Sequence, residues 1–525
     1  MEPGRRAADA ASCAPGTRAS RAPTARRRRW LAAAGAAACL ALAPAAYGNE
    51  TPVSLGELGP GSVFITGDGL TMFPAEQWYT PTPSHGQVAQ NSYWFNQDVV
   101  RLGLGYRFDN GITFYAQGIG TGLLNLPGNA VSPYPQGQNG LGAGYFAANH
   151  QRDGAAVFLK QAYVALDPAR FNGFGLVGGR YEFNDGTEIL PNDPDLLWLV
   201  ENRIQQRLIG SRYVLVGGRS LDGVKASYGD NQRNVTALYG IPTQGAYMLN
   251  GNDEINGIDL GYLSFNAGPG GLPGPFGEDA LGRLFVIQYD DTRDLLLPDN
   301  QTLTQRTRNG GAVRITTVGG DYVKEFRAGP GSFDVLLWGA YQFGAWGTLA
   351  QRAYAYNAEA GYHWTSLPWQ PWLRVGYSVG SGDRNPNNST HGTFFEVLPT
   401  TWYVANFAFY DLQNINDAMI ELVTQPAPNV QWRVDLHALS LNSSHDLWYA
   451  GGGAWNDTLF GYQPRPSYGQ SDLATLLETF GSWTVNRHLT LSGYVGHSFG
   501  GAVVAANYPL GRQANFGFLM AMWHL

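Results

Sequence analysis

The chain is poor in cysteine, in lysine and in long apolar runs. Its two cysteines, Cys13 and Cys39, both lie among the first 48 residues. The rest of the chain therefore has no disulfide, no cysteine-ligated metal and no thiol nucleophile. No apolar stretch of about 18 residues follows residue 48, which excludes a helical membrane anchor in that part.

Charge is also scarce, at 14% of the residues. The first 48 residues hold eight arginines, Glu2 and Asp9, so the 34 basic and 41 acidic residues of the chain fall to 26 and 39, a formal charge of −13. Nucleic acid, which attracts basic stripes, is therefore not expected as a partner. Only three of these basic residues are lysine: Lys160, Lys225 and Lys324. Codon bias is one explanation of this preference for arginine. The alternative is functional, because the guanidinium fork recognises carboxylates.

The N-terminus has the pattern of a secretory leader. A basic cluster at Arg26–Arg29 precedes an apolar run from Trp30 to Leu42, and small residues follow up to Gly48. A charged region, a short apolar core and a small-residue cleavage site define a signal peptide. We therefore assign residues 1–48 to a signal peptide cleaved after Gly48.

The last nine residues form an apolar strand that runs to the end of the chain. Counting back in twos from Leu525 gives Trp523, Ala521, Leu519 and Gly517 on one face. This pattern resembles the terminal signal of bacterial outer-membrane β-barrels, although Leu525 stands where Phe is usual. The 69 glycines and 13% aromatic residues are typical of lipid-facing strands with interfacial aromatic girdles.

Strict alternation of polar and apolar residues predicts transmembrane strands. Leu102 and Leu104 share one face while Arg101 and Arg107 share the other, and Asp109-Asn110-Gly111 then makes a tight turn. The same alternation over residues 354–363, 373–379 and 431–438 puts Arg374 and Arg433 on a polar face.

Connections of two lengths separate the predicted strands. Short turns occur at 109–111, 167–168, 329–331, 426–428 and 486–487, and longer Gly-, Pro- and Asn-rich segments span 122–153, 268–280, 381–393 and 442–471. Short turns at one end and long loops at the other are usual in outer-membrane barrels. We predict an all-β fold, a transmembrane antiparallel up-and-down β-barrel of about 18 strands. Residues 49–89 would lead into a barrel over residues 90–525.

One segment does not have the pattern of a strand. Asp195–Arg207 is compatible with a helix or with a loop folded into the lumen, where it would narrow the pore. Arg203 and Arg207 lie four residues apart and would share a helix face. An ordinary extracellular loop is the alternative.

Several longer motifs resemble the alginate export family of outer-membrane barrels. They are Trp338–Gly347, Ala353–Tyr362, Asp446–Ala454, Asn486–Tyr494, Arg203–Gly210, and Gly179-Arg180 followed by Asp185-Gly186-Thr187. The resemblance covers most of residues 90–525 and is strongest after residue 330. It implies an 18-stranded channel in the outer membrane of a Gram-negative-type bacterium. Such a channel passes an anionic uronate polysaccharide, such as alginate, through a loop-gated lumen lined with arginines.

Eight residues are candidates for lining this lumen. Alternation selects Arg101, Arg107, Arg374 and Arg433, and the family-like motifs add Arg180 and Arg203. Glu182 and Asp185 would keep a passing carboxylate from binding too tightly. For each arginine the alternative is a structural ion pair across the barrel wall.

These expectations define a channel that acts by passive, charge-selective conduction. The alternative is a general or small-substrate porin for sugars or carboxylates on the same fold. Outer-membrane lipid, lipopolysaccharide, the barrel-assembly machinery and periplasmic export proteins are the expected partners of a monomer without cofactor or metal. A serine hydrolase using Ser498 of Gly496–Gly500 is not expected, because the motif falls in a predicted strand with no helix after it.

Overall fold

The structure is a closed antiparallel barrel of 18 strands, as predicted. The computed structural model describes residues 52–211, 216–399, 405–461 and 464–525; the signal peptide assigned to residues 1–48 lies outside these ranges. The strands are β1 Gly61–Gln77, β2 Asn96–Phe108, β3 Ile112–Leu124, β4 Gly154–Leu166, β5 Phe174–Tyr181, β6 Leu221–Gly229, β7 Arg233–Pro242, β8 Ile258–Ala267, β9 Ala280–Asp291, β10 Val313–Ala328, β11 Gly331–Trp346, β12 Leu349–His363, β13 Trp372–Gly380, β14 Ile415–Ala427, β15 Val430–Ser440, β16 Asp472–Asn486, β17 Leu489–Gly500 and β18 Gln513–His524.

The barrel begins earlier than the boundary at residue 90 expected from the sequence. Strand β1 is the first barrel strand, and a short strand at Val53–Glu57 folds back on it. Alternation did not reveal β1, because Gly61, Gly67 and Gly69 interrupt its pattern of large side chains. The segment over residues 49–89 is thus partly wall.

Strands β1 and β18 close the barrel. They pair antiparallel from Asp68 opposite His524 to Gln77 opposite Asn515, and β18 also pairs with β17. Leu519 is 69% exposed, whereas its neighbours Phe518 and Met520 are buried. The predicted terminal strand is confirmed, with its odd-numbered residues pointing outward.

Two glycines make room for the last outward side chains. A Cβ on Gly69 would lie 2.3 Å from the ring of Trp523, and one on Gly67 would lie 2.6 Å from Leu525. The terminal side chains therefore lie flat on bare backbone of β1, and the seam is tightly packed.

The two faces of the wall differ as the alternation predicts. Leu102 is 59% exposed on the outside, and Arg101 is fully buried inside. Along β13, Leu373 and Val375 are exposed while Arg374 is enclosed. Apolar side chains thus face lipid and polar ones face the lumen.

The two ends of the barrel also differ. At the turn end, most connections are two to three residues long, as after β2, β6, β10, β14 and β16. At the opposite end, the loop end, the longest connections span residues 182–220 and 381–414. Four connections depart from the expected lengths: 167–173, 268–279 and 364–371 are longer connections at the turn end, and Gly347-Thr348 is a two-residue turn at the loop end.

In the described parts of the long loops there are four short α-helices. These are α1 Leu141–Asn149, α2 Pro194–Leu199, α3 Leu303–Asn309 and α4 Ala502–Asn507. None of the helices within the described ranges has the length and apolar character to cross a membrane. Helix α4 follows β17 directly, contrary to our expectation that no helix follows the Ser498 motif. The Ser498 hydroxyl lies within the strand and hydrogen-bonds Tyr79 at 2.7 Å.

Loop residues meet inside the loop end as an aromatic plug, formed by Tyr79, Phe407, Phe409, Trp448 and Tyr508. The ring of Tyr79 lies 6.3 Å from Phe409, 6.1 Å from Trp448 and 5.3 Å from Tyr508. Phe407 reaches the inner wall at Phe516 of β18. All five plug residues are buried, so this end of the lumen has a hydrophobic core of its own.

We predict that Gly69→Val impairs barrel closure. The added side chain would overlap Trp523, and overpacking of this kind costs about 1–3 kcal/mol. The fraction of refolded protein that migrates as a compact barrel on unheated gels should fall. Gly118→Val is the matched control, because the nearest atom to a Cβ there is 3.9 Å away. Equal folding yields for the two variants would contradict the close packing of the seam.

Candidate functional site

The connection between β5 and β6 enters the lumen over residues 182–211. Helix α2 starts where the Asp193 side chain accepts the N–H groups of Asp195 and Leu196 at 2.9 and 3.1 Å. A π-helical turn, Val200–Ile204, continues the helix. Both sequence interpretations of Asp195–Arg207 are therefore correct in part, since this loop is folded in and helical up to Ile204.

The loop touches widely separated parts of the wall. Glu182 lies 3.1 Å from Arg101 of β2 and 3.2 Å from Lys160 of β4. Asp185 accepts the backbone N–H groups of Leu208 and Ile209 and lies 3.2 Å from Arg283 of β9. Further along, Trp198 packs on Trp372 of β13 with ring centroids 4.9 Å apart. The loop thus crosses the lumen and narrows it.

Arg203 joins the loop to a row of charges on the wall. Its guanidinium donates to both carboxylate oxygens of Glu359 at 2.7 to 3.0 Å. The same carboxylate accepts from Arg374 at 2.8 Å, and Arg374 also donates to Asp334 at 2.5 Å. Arg203, Glu359 and Arg374 are all buried. Removing one partner of such a buried pair costs about 3–5 kcal/mol.

The row continues to Arg433 on β15. Arg433 lies 2.8 Å from Asp435 and 3.8 Å from both Glu421 and Glu478. Arg374 lies 3.4 Å from the same Glu421. A continuous network of arginines and carboxylates therefore lines the wall from β11 to β16, and Arg203 docks onto it.

Six of the eight predicted residues lie inside the barrel, in contact with the infolded loop or with this network. They are Arg101, Arg203, Arg374, Arg433, Glu182 and Asp185. Every arginine among them has a carboxylate partner, so the structural alternative raised for each arginine is also realised.

The other two predicted residues lie elsewhere. Arg107 is exposed at the turn end, 5.5 Å from the ring of Phe64. The expectation for Arg180 is wrong, because this residue points outward. It stands opposite Ala162 in the sheet, and Ala162 lines a groove on the outer wall. Arg180 pairs there with Asp222 at 2.5 Å. Its assignment rested on a motif and not on the alternation of β5.

Several charged members of the lumen are not among the candidates selected from the sequence. They are Lys160, Arg207, Arg283, Asp334, Glu359, Glu421, Asp435 and Glu478. Glu359 and Asp435 are on the polar faces of predicted strands, so alternation was enough to find them. The contacts of Arg207 with Asn357 and with the Trp338 ring join distant segments and leave no local signal.

A polar cavity of about 410 Å³ lies against the infolded loop. Gln161, Asn234 and Thr236 supply polar groups to its lining. The Lys225 ammonium lies 5.8 and 5.9 Å from the rings of Tyr181 and Phe183. Glu182 and Glu188 also line the cavity, which therefore combines one cation with two carboxyl groups, aromatic rings and neutral polar groups.

A pair of buried carboxyl groups lies in the connection between β13 and β14. Glu396 and Asp411 both accept the backbone N–H of Leu412, at 2.5 and 2.9 Å. Burial and the neighbouring carboxyl raise the pKa of Glu396 well above its usual value, and burial raises the pKa of Asp411. The folded protein therefore keeps a proton here that the unfolded chain releases.

We predict that this pair makes the protein less stable as pH rises. The raised pKa contributes stability that is complete below about pH 4.3, the ordinary Glu value, and is lost as pH increases toward the folded pKa. Glu396→Gln stays neutral and should flatten the slope of Tm against pH above that point. Glu57→Gln, at an exposed position, is the control. A slope that is the same in all three proteins would contradict a shared proton.

Comparison with known proteins supports the family and the fold. Residues 276–517 match the family model described as alginate export. Comparison with curated proteins gave no match. Among solved structures, Pseudomonas aeruginosa OpdK aligns with TM-score 0.50 at 9% identity over 88% of this chain and 98% of its own. P. aeruginosa OccK9 (OpdG) aligns with TM-score 0.51 at 10% identity over 88% of this chain and 98% of its own. Acinetobacter baumannii OccAB1 aligns with TM-score 0.50 at 11% identity over 88% of this chain and 97% of its own.

These structures share only 9–11% sequence identity with the chain, so the similarity shows the barrel fold alone. The family match covers the wall that carries Glu359, Arg374 and Arg433. Residues 276–517 therefore resemble the alginate export family, and the described chain has the fold of an outer-membrane β-barrel.

Proposed function

We propose that this channel conducts an anionic uronate polysaccharide, such as alginate, outward by passive, charge-selective passage. The observation that carries the proposal is the position of the infolded loop, which sets Arg203 beside Arg374 and Arg433 of the wall. A row of inward arginines met by a loop is needed to guide a polyanion. A general pore has no need of it.

The chemistry of the row fits a chain of carboxylates. Each uronate must give up part of its hydration in a narrow lumen, and guanidinium groups can replace that water. Arg203 Nη1 and Arg283 Nη2 are buried donors with no hydrogen-bond partner among the described protein groups. They are suited to binding a passing carboxylate.

The paired carboxylates limit how tightly such a substrate is held. Glu359 already accepts from Arg203 and Arg374, so a uronate must compete with it for the same donors. Competition keeps each site weak, and a polymer can then move from one site to the next. Glu182 has the corresponding role beside Arg101 and Lys160.

The 410 Å³ cavity would receive the substrate next to this constriction. The Lys225 ammonium would attract the carboxylate, while the rings of Tyr181 and Phe183 would pack on the sugar. Gln161, Asn234 and Thr236 would hydrogen-bond its hydroxyl groups.

A porin for small carboxylates is the second candidate. Its support is the narrowing of the lumen by the loop, which also suits a compact solute, and the fold shared with OpdK, whose crystal structure contains vanillate. The two candidates differ in the length of the ligand that the arginine row must contact.

We predict that mannuronate oligomers block the channel. Single-channel current through the refolded protein in a planar bilayer should be anion-selective and should be interrupted by the oligomers at lower concentration than by monomeric glucuronate. Such a length dependence reflects several weak sites acting together. Equal block by oligomer and monomer would favour the small-carboxylate porin, and current indifferent to both would refute the two candidates.

We predict that the double variant Arg374→Ser with Arg433→Ser loses anion preference. Removing two inward cations takes away the ion-pair partners of Glu421 and Asp435, so the reversal potential in a salt gradient should shift toward cation selectivity. Arg180→Ser is the matched control, because that arginine faces outward. An unchanged reversal potential in the double variant would exclude a selective role for the row.

A further inference from the structure

Three side chains that commonly bind metals converge on the lumen wall. Asp435 and His437 are two residues apart on the inner face of β15, and Glu478 of β16 stands directly opposite Asp435. One ligand atom from each residue lies within 4.8 Å of the other two. All three residues are at most 1% exposed. The sequence analysis expected no metal here.

Two potential ligand atoms of these residues make no hydrogen bond to the described protein groups. They are His437 Nε2 and Asp435 Oδ1, and both are enclosed. A buried polar atom without a partner costs about 1–3 kcal/mol, and other atoms of the lumen network are in the same state, among them both carboxylate oxygens of Glu421. Both atoms belong to residues of the same converging set.

The histidine ring is held in the orientation that a metal ligand needs. His437 Nδ1 lies 3.0 and 3.1 Å from the carboxylate oxygens of Asp417, which also accepts the Tyr410 hydroxyl at 3.1 Å. A ligating histidine typically donates its second ring N–H to a carboxylate, which fixes the tautomer and directs the other nitrogen at the metal.

The charge of the surrounding network points the same way. The network has four arginines and six carboxylates, so its formal charge is −2 when His437 is neutral. These residues are Arg203, Arg207, Arg374, Arg433, Asp334, Glu359, Asp417, Glu421, Asp435 and Glu478. Either one divalent cation or two protons would neutralise it.

We infer that Asp435, His437 and Glu478 bind one divalent transition-metal cation of the Zn²⁺ class. One imidazole nitrogen and two carboxylate oxygens are ligands that Zn²⁺ and Co²⁺ accept, whereas Ca²⁺ takes six to eight oxygens. Asp435 uses Oδ1 for the metal, because Arg433 lies 2.8 Å from its Oδ2. The ion joins β15 to β16 beside the arginine row.

The test is a metal titration of the tag-free, chelator-treated, refolded barrel. Co²⁺ should bind with a stoichiometry of one and give visible ligand-field absorption, which Zn²⁺ should abolish by displacement while Ca²⁺ leaves it intact. Cu²⁺ in the same site should show coupling to one imidazole nitrogen by electron paramagnetic resonance. This spectrum needs only the wild-type protein, so the inference is testable even where a variant fails to fold.

Matched variants locate the site. His437→Gln and Asp435→Asn should each weaken Co²⁺ binding at least tenfold. His363→Gln should not, although His363 also pairs with a carboxylate. Absence of stoichiometric binding by the folded wild type would overturn the inference and leave protons as the balancing charge. Binding that survives His437→Gln and Asp435→Asn unchanged would overturn it as well.

Discussion

Pairing of β1 with β18 is the constraint on which the rest of this structure depends. A sheet in lipid cannot leave its edge N–H and C=O groups without partners, so it must close on itself. Closure divides every strand into a lipid face and a lumen face. The residues around Leu102 and Leu519 are apolar because they lie on the lipid face. The enclosed charges follow from the second, because a cation inside the barrel must find a counter-charge.

Side-chain alternation allowed most of the wall to be predicted from the sequence. It placed Arg101, Arg374 and Arg433 inside and predicted a terminal strand that pairs with the first. It failed at β1, where glycines remove the side chains that mark a face. It was also not applied to β5, and Arg180 was consequently assigned to the wrong side of the barrel. A short sequence motif was a poorer guide there than the two-residue period of the strand.

The partners of the charged residues were beyond sequence reasoning. Arg203 meets Glu359 across 156 positions of the chain, and no local pattern encodes that contact. The infolded loop could be suspected only because its residues lacked a strand pattern. Its path across the lumen depends on closure, which brings β2, β9 and β12 within reach of one segment. The arginine row is therefore a product of the closed barrel and of the loop together, and each arginine is held by acids as well as by the fold.

The aromatic plug has a consequence for the order of assembly. Tyr79 follows the first strand, whereas Phe409, Trp448 and Tyr508 follow strands in the last third of the chain. These rings cannot meet until the sheet has curled round and its two ends are side by side. The plug is therefore the last hydrophobic core to form. Until it forms, bulky aromatic loops are in contact with water, and protection of those loops must come from whatever inserts the barrel into the membrane.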